Sequence, residues 1–298
     1  VVYLTPNEFL HVNCPGYPEV KLACPWNIGK KIKEISPDYI HIATEGPLGL
    51  CARLYLDIRN YRYNTSYHTK FPEFLKAIYG IPMPITWGYL RWFHKHSGKV
   101  LVNTRSMKKL LQDKGFVSPM ITWTRGVDRN NLLPTEIYNH GGKPIVLYVG
   151  RVSKEKNLDV LCELQYTYDI EIVGDGPYRK KLEEKYPKVK FLGYQQGAEL
   201  ANSYAKADVF CFPSKSDTFG IVMIEAMSLG TPVAAYPVDG PLDVIDEYTG
   251  RMNDNINKAI MDCLSMDRNK VKQASSVWTW EQCWSIFRDN LISIEKPK

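Results

Sequence analysis

Short apolar runs alternate with helical patterns along most of the chain. In the first half, runs at 39–43, 63–67 and 100–102 predict strands, and the patterns at 46–56 and 106–114 predict helices. Thr104 is expected to cap the second of these helices, and Gly115 is expected to end it. This alternation is typical of a parallel sheet with helices on both faces.

The same alternation resumes in the second half with clearer strands. They are predicted at 145–149, 170–173, 190–192, 209–212 and 232–235. The stretch between the halves has the weakest pattern, so we expect an interdomain linker at 132–143. Two open α/β domains in tandem predict a cleft at the carboxyl ends of both sheets, where such folds bind ligands.

Composition narrows the class of protein. Of 298 residues, 44% are hydrophobic and 23% charged, as in soluble globular chains. No apolar run approaches the roughly 18–20 residues of a membrane span, so we predict no transmembrane helix. The seven cysteines include no C-x-x-C pair, which favours reduced thiols and a cytoplasmic location. The chain begins at 1–6 with what resembles the end of a strand and with no secretory signal.

Charge is distributed unevenly. Residues 1–134 carry a net charge of +9 and residues 135–298 carry −3. A basic half suggests an anionic partner, such as a phosphate-bearing ligand, a nucleic acid or an acidic membrane. The charges are scattered and not in one run, however, which favours a solvated surface over a binding surface.

The predicted helix around 219–227 is apolar on nearly every face, and Glu225 is its one charge. A buried carboxylate needs a partner, so Glu225 is either in a structural salt bridge or has a raised pKa, or it accepts hydrogen bonds from ligand hydroxyls such as a ribose diol. Gly220 would let a ligand approach the first-turn N–H groups. Asp217 is either a helix cap or a ligand for sugar hydroxyls.

A second cluster follows the strand at 145–149. Gly150 forms a turn, and Arg151 and Lys156 lie five residues apart at a predicted helix start. Arginine offers a bidentate fork and lysine a point charge, a combination that suits a pyrophosphate. A solvated loop is the alternative. The turn at Gly174, in 174–177, is a further candidate for close ligand approach.

Together these motifs resemble the retaining group 1 (family 4) glycosyltransferases of the GT-B fold. The motifs that carry the resemblance are 150–156, 173–177, 191–193, 217–220, 225–227 and 230–233. In the first half, 66–69 (Ser-Tyr-His-Thr) and 125–128 (Arg-Gly-Val-Asp) resemble the branch of sulfoquinovosyl-, mannosyl- and glucosyl-diacylglycerol synthases.

The resemblance implies a domain division and a set of site residues. The division is an acceptor-side Rossmann-like domain at 1–131, the linker, a nucleotide-sugar domain at 144–276, and a helix at 277–298 that crosses back to the first domain. The expected catalytic residues are His68, Arg151, Lys156 and Asp217. The expected donor-binding residues are Gly150, Arg151, Lys156, Gly174, Gly193, Tyr194, Asp217, Phe219, Gly220, Ile221, Val222 and Glu225.

The resemblance also implies roles for these residues. Arg151 and Lys156 would bind the diphosphate of a UDP- or GDP-sugar, and Glu225 would bind the ribose. The backbone around Gly193 and Tyr194 would contact the base.

The sugar contacts come from two further positions. Asp217 would hold the donor sugar together with the N–H groups after Phe219. His68 would face the sugar across the cleft.

Two departures from the family pattern affect these expectations. Asp217 stands where the motif usually begins with Glu, and its shorter side chain would move the sugar contact, although the diacylglycerol branch often carries Asp. The family's opening strand, glycine loop and helix have no counterpart before Val1. We therefore expect a first domain without its first strand and helix, and either a missing segment or a partner chain that supplies them.

The predicted reaction transfers a hexosyl group to a hydroxyl acceptor. No D-x-D motif occurs, so we expect no metal. We also expect no cofactor, because the UDP- or GDP-linked sugar is the donor substrate. Aromatic and basic residues at 82–96 suggest peripheral membrane contact and a lipid acceptor, unless these aromatics are core residues. No nucleic-acid partner is expected.

Three alternatives stay open. They are transfer to a soluble or polysaccharide acceptor, a non-catalytic nucleotide-sugar-binding subunit, and an epimerase of similar fold. The epimerase would need further acid–base carboxylates, which the sequence does not show.

Overall fold

The computed structural model describes residues 1–14, 17–135 and 141–294. The chain divides into two compact units, Val1–Trp123 with Ser285–Lys298, and Thr124–Trp284. The middle of the predicted linker, at 136–140, lies outside the described residues.

The first unit contains a parallel four-stranded sheet and a separate hairpin. Its strands are β1 (Leu10–Cys14), β2 (Tyr17–Cys24), β3 (His41–Ile42), β4 (Asn64–Tyr67), β5 (Val100–Val102) and β6 (Met120–Thr122). The sheet order is β3-β4-β5-β6, and β1 pairs with β2 in an antiparallel hairpin. Its helices are α1 (Ile28–Ile35), α2 (Pro47–Ile58), α3 (Phe71–Tyr79), α4 (Met83–His94) and α5 (Arg105–Asp113).

The start of the first unit differs from the sequence prediction. The strand end expected at 1–6 is wrong, because Val1–Thr5 has no regular structure and a single 3₁₀ turn follows at Pro6–Glu8. The hairpin of β1 and β2 was not predicted. Its solvent-facing positions, such as Leu10 and Val12, are apolar, so the alternation that marks a half-buried strand is missing.

Helix α5 is the helix for which the sequence predicted both the cap and the stop. Thr104 Oγ1 accepts a hydrogen bond from the Met107 N–H at 3.2 Å, which satisfies one unpaired donor at the start of α5. Gly115 follows the helix with φ +81°, a conformation that ends helices and favours glycine. The predicted cap and stop are both confirmed.

The aromatic helix α4 belongs mainly to the core. Trp87, Leu90 and Phe93 are buried, and Trp92 lies 43% exposed with the Arg53 guanidinium 3.7 Å from its ring centre. The core interpretation of these aromatics is therefore confirmed for Trp87 and Phe93. The expected membrane contact gains no support from this helix.

The second unit is built on a six-stranded parallel sheet in the order β12-β11-β10-β7-β8-β9. The strands are β7 (Ile145–Val149), β8 (Asp169–Val173), β9 (Lys190–Gly193), β10 (Val209–Phe212), β11 (Val233–Ala235) and β12 (Gly250–Met252). Its main helices are α6 (Asp159–Cys162), α7 (Arg179–Lys185), α8 (Gly197–Lys206), α9 (Ile221–Ser228), α10 (Pro241–Val244), α11 (Ile256–Cys263) and α12 (Arg268–Ala274). Helix α13 (Trp280–Asp289) begins in the second unit and ends in the first.

The sheet of the second unit has a core on each face. Ile145 and Leu147 of β7 face one cluster, and Val146 and Tyr148 face the other, as the alternation of a strand requires. Because both faces are covered, the strands read as continuous apolar runs. That is why all five strands predicted in this half are found within one residue of their predicted bounds.

Candidate functional site

A cavity of about 590 Å³ lies in the second unit, where β7, β8 and β9 end. Carboxyl ends of parallel strands are the usual ligand edge of an α/β sheet. This volume is within the range of small-molecule sites. Its lining comprises Asp128, Asn131, Leu132, Val149, Gly150, Arg151, Val173, Gly174, Asp175, Tyr194, Gln195, Gln196, Gly197, Leu200, Val222 and Glu225.

Backbone hydrogen bonds hold the loops at this edge together. The Gly150 N–H donates to the Val173 carbonyl at 3.0 Å, and the Gly174 N–H donates to the Gly193 carbonyl at 2.7 Å. Gly174 has φ +124°, and a Cβ built on it would lie 2.0 Å from the Gly150 carbonyl oxygen. The close approach of these loops therefore requires glycine at position 174.

Glu225 reaches the cavity from α9. Its Oε2 accepts a hydrogen bond from the Tyr204 hydroxyl at 2.8 Å. Burial raises the pKa of Glu225, and the Tyr204 hydrogen bond partly offsets this by lowering it. Of the interpretations drawn from the sequence, a raised pKa agrees with this burial, and the partner of Glu225 among the described residues is a neutral hydroxyl instead of a salt-bridge cation.

Gly220 starts α9 with φ +82°. A Cβ there would lie 2.9 Å from both Met223 and Phe212, so packing as well as backbone conformation favours glycine. The N-cap residue is Gly220, and no side chain among the described residues caps this helix, so the interpretation of Asp217 as its cap is wrong. Phe219, before Gly220, is buried against Trp278.

Asp217 instead forms an ion pair with Lys156, its Oδ1 lying 2.6 Å from the Lys156 Nζ. The two side chains are 25% and 22% exposed. The second carboxylate oxygen, Oδ2, is buried and has no hydrogen-bond partner among the described residues. The Asp217 carboxylate therefore already binds the Lys156 ammonium that a ligand phosphate would use.

The structure brings only part of the predicted donor set to the cavity. The predicted residues that line it are Gly150, Arg151, Gly174, Tyr194, Val222 and Glu225. Lys156 and Asp217 meet each other but are not among the lining residues. Gly193, Phe219, Gly220 and Ile221 belong to the adjoining strand end and helix start, and their donor-binding roles remain predictions.

His68 belongs to the first unit and directly follows β4. Its Nδ1 lies 2.8 Å from Asn103 Oδ1, and its ring packs on Trp123 at 5.6 Å between centroids. Its predicted role remains a prediction.

Sequence reasoning missed several residues of the cavity. Gln195, Gln196 and Gly197 follow the predicted strand at 190–192, so the rule that ligands bind at carboxyl ends of strands could have found them. Tyr204, on α8, had no such signal, because nothing in the sequence pairs it with a residue 21 positions away.

No helix within the described residues has both the length and the apolar character that a membrane span needs.

Two family models together match almost the whole chain. The model described as Glycosyltransferase Family 4 matches residues 6–131, and the model described as Glycosyl transferases group 1 matches residues 135–273. The chain belongs to the group 1, family 4 glycosyltransferases. The resemblance drawn from the motifs is thereby confirmed.

Similar proteins agree with this assignment. The chain is 33% identical to the sulfoquinovosyl transferase SQD2 of Arabidopsis thaliana, over 78% of this chain and 50% of that protein. It is also 33% identical to a GDP-mannose-dependent alpha-mannosyltransferase of Mycobacterium tuberculosis, over 74% of this chain and 60% of that protein. The chain thus spans half to three-fifths of these relatives.

A solved structure of Anabaena Alr3699/HepE in complex with UDP has a similar fold. The TM-score is 0.68 at 16% identity, over 88% of this chain and 80% of the other. This likeness, with the two family matches, confirms the predicted GT-B fold class of two Rossmann-like halves with parallel sheets.

Proposed function

We propose that this glycosyltransferase transfers a hexosyl group from a UDP- or GDP-sugar to a hydroxyl acceptor, with retention at the anomeric carbon and without a metal. One observation carries the proposal. A single cavity at the carboxyl ends of β7–β9 combines a guanidinium, on Arg151, with a half-buried carboxylate, on Glu225. A nucleoside diphosphate needs both, a cation for its phosphates and an acceptor for its ribose hydroxyls.

The diphosphate half of the donor would lie at the turn after β7. Cleavage of the bond between the anomeric carbon and phosphate places negative charge on the departing nucleotide. Arg151 and the N–H groups at the start of α9 would stabilise that charge, and Lys156 would join them after leaving Asp217. One cation or N–H group that stabilises this developing charge is worth about 3 kcal/mol, or 10²–10³ in rate.

The sugar and the base would lie at opposite ends of this site. Asp217, released from Lys156, would accept hydrogen bonds from the transferred sugar through both of its carboxylate oxygens, including the buried Oδ2. The base would lie beside Gly193 and Tyr194, where the Tyr194 side chain is 77% exposed. An exposed ring beside a cavity offers a surface on which a base can stack.

We further propose a membrane lipid, of the glycolipid or diacylglycerol kind, as the acceptor. Support comes from the resemblance of 66–69 and 125–128 to the diacylglycerol branch and from the net charge of +9 on residues 1–134, which suits an anionic membrane surface. A peripheral location at the cytoplasmic membrane face is part of this proposal. A soluble saccharide acceptor is the alternative that the experiment must exclude.

The test is incubation of the full chain with UDP- and GDP-sugars, following release of the free nucleotide with and without a lipid extract. We expect release from one donor class, stimulation by lipid, an unchanged rate in EDTA, and a lipid product with the donor's anomeric configuration. Binding without release would instead indicate a nucleotide-sugar-binding subunit. Stimulation by soluble saccharides alone would overturn the lipid acceptor.

A further inference from the structure

Polar and aromatic side chains meet where the strands of the first unit end. His41 lies in β3, His68 directly follows β4, Asn103 directly follows β5 and Trp123 directly follows β6. The Trp123 ring centre lies 5.6 Å from that of His68 and 6.2 Å from that of His41. The cluster thus occupies the ligand edge of this sheet.

Two contacts between His68 and Asn103 determine which imidazole nitrogen carries the hydrogen. Asn103 Nδ2 donates to the main-chain carbonyl of His68 at 3.3 Å, and a carbonyl can only accept. The amide is therefore oriented with Oδ1 towards the ring, 2.8 Å from His68 Nδ1. Because an amide oxygen also only accepts, Nδ1 must be the donor, and the lone pair of the neutral ring is on Nε2.

The neighbouring imidazole, that of His41, carries no charge that would act on the His68 ring. His41 Nε2 is hydrogen-bonded to the hydroxyl of Ser66, in β4. Burial, and secondarily the nearby His68, lower the pKa of His41 to about 4. His41 is therefore neutral near pH 7.

We propose that Asn103 is a positioning residue that fixes His68 in the Nδ1–H tautomer, so that Nε2 is the nitrogen that can accept a hydrogen bond from a substrate hydroxyl at this edge of the first unit's sheet. The role of Nε2 rests on the proposed transfer from a nucleotide sugar. The tautomer itself follows from the geometry of Asn103, which is only 5% exposed and therefore well held.

The first test is ¹⁵N nuclear magnetic resonance of the histidine rings in the full chain, with the His68 signals assigned from a His68→Gln variant. We expect a protonated Nδ1 and an unprotonated Nε2 for His68. Asn103→Ala should lose this preference, whereas Asn103→Asp, which retains an acceptor oxygen, should keep it. A protonated Nε2 in the unaltered protein, or an unchanged tautomer in Asn103→Ala, would overturn the proposal.

The second test is a double-mutant cycle in the transfer assay. Asn103→Ala should lower kcat/KM about tenfold, the loss of one hydrogen bond. In a His68→Ala background the same change should have no further effect, because Asn103 acts through His68. Additive losses would indicate a merely structural role and contradict the proposal. Asn103→Asp, which keeps an acceptor oxygen beside Nδ1, should recover most of the activity.

These tests also separate this inference from the proposed function. If the unaltered protein releases no nucleotide, the proposed function fails, and the ring spectra still decide the role of Asn103. If Asn103→Ala does not fold, as circular dichroism would show, the spectrum of Asn103→Asp decides it.

Discussion

Lys156 and Asp217 form an ion pair in the structure, but the proposed function has them bind different parts of the donor. Lys156 binds the diphosphate, and Asp217 binds the sugar. A partly exposed pair of this kind is weak in water, so a diphosphate with two or more negative charges can replace the carboxylate. Donor binding would then release Asp217 for the sugar at the moment that Lys156 is engaged.

Replacement of Lys156 tests this exchange. Lys156→Ala should lower the transfer rate about 10²–10³-fold, because the leaving group loses one stabilising cation. Lys154, which is exposed in the same turn, is the matched control, and Lys154→Ala should leave the rate within about twofold. Initial rates of nucleotide release measure both. Equal rates in the two variants would remove Lys156 from the reaction.

The Tyr204–Glu225 hydrogen bond gives a prediction about pH. Burial raises the pKa of Glu225, and an ionised carboxylate is the better acceptor for ribose hydroxyls. Nucleotide affinity should therefore fall as the pH drops through this pKa. Tyr204→Phe removes the group that lowers the pKa, so the loss of affinity should begin at higher pH.

Calorimetric titration with UDP or GDP across the acidic range measures this shift. The phosphates of the nucleotide titrate in the same range, and Glu225→Gln separates the two effects because it retains the phosphates and removes the carboxyl. An identical pH dependence in the unaltered protein and in Glu225→Gln would contradict the prediction.

At the scale of secondary-structure elements, the contact between the β7 and β8 loops shapes the cavity. Gly174→Ala should destabilise the second unit by about 2 kcal/mol or more, since the new Cβ would overlap the Gly150 carbonyl in a conformation that favours glycine. It should also weaken nucleotide binding. Gly141 has no atom within 4 Å of its built Cβ, so Gly141→Ala should change stability by less than about 0.5 kcal/mol. Urea unfolding measures both, and equal stabilities would contradict the account.

The sequence predicted those features whose signals lie within a few residues of each other along the chain. The strands at 145–149 and 209–212 were predicted with their observed bounds because strands buried on both faces are continuous apolar runs. The cap at Thr104 was predicted because capping involves residues three positions apart. Local patterns of this kind identified the fold class and most cavity loops.

Contacts between distant residues were not predictable in this way. The partner of Glu225 is Tyr204, and the partner of Lys156 is Asp217, 61 positions away. Neither pairing leaves a periodic pattern in the sequence. The sequence therefore identified Glu225 and Lys156 as candidate site residues, but it did not predict which protein side chains they contact.

At the scale of the whole molecule, the first unit is completed by the end of the chain. Asn64 Nδ2 donates to the Asn290 carbonyl at 2.8 Å, and the Ile294 N–H donates to the Asp38 carbonyl at 2.8 Å. The Phe287 ring packs on Trp123, with centroids 4.9 Å apart. The predicted return of the 277–298 segment to the first domain is a proposal that these contacts support.

The central claim is that the cavity of the second unit binds the nucleoside diphosphate of a sugar donor. Calorimetric titration of the full chain with UDP and with GDP tests it most directly, with Glu225→Gln as the site variant and Glu184→Gln, at an exposed position of α7, as the control. The account predicts that one of the two nucleotides binds, that Glu225→Gln weakens it about tenfold, and that Glu184→Gln does not. Binding of neither nucleotide, or equal affinity in all three proteins, would contradict it.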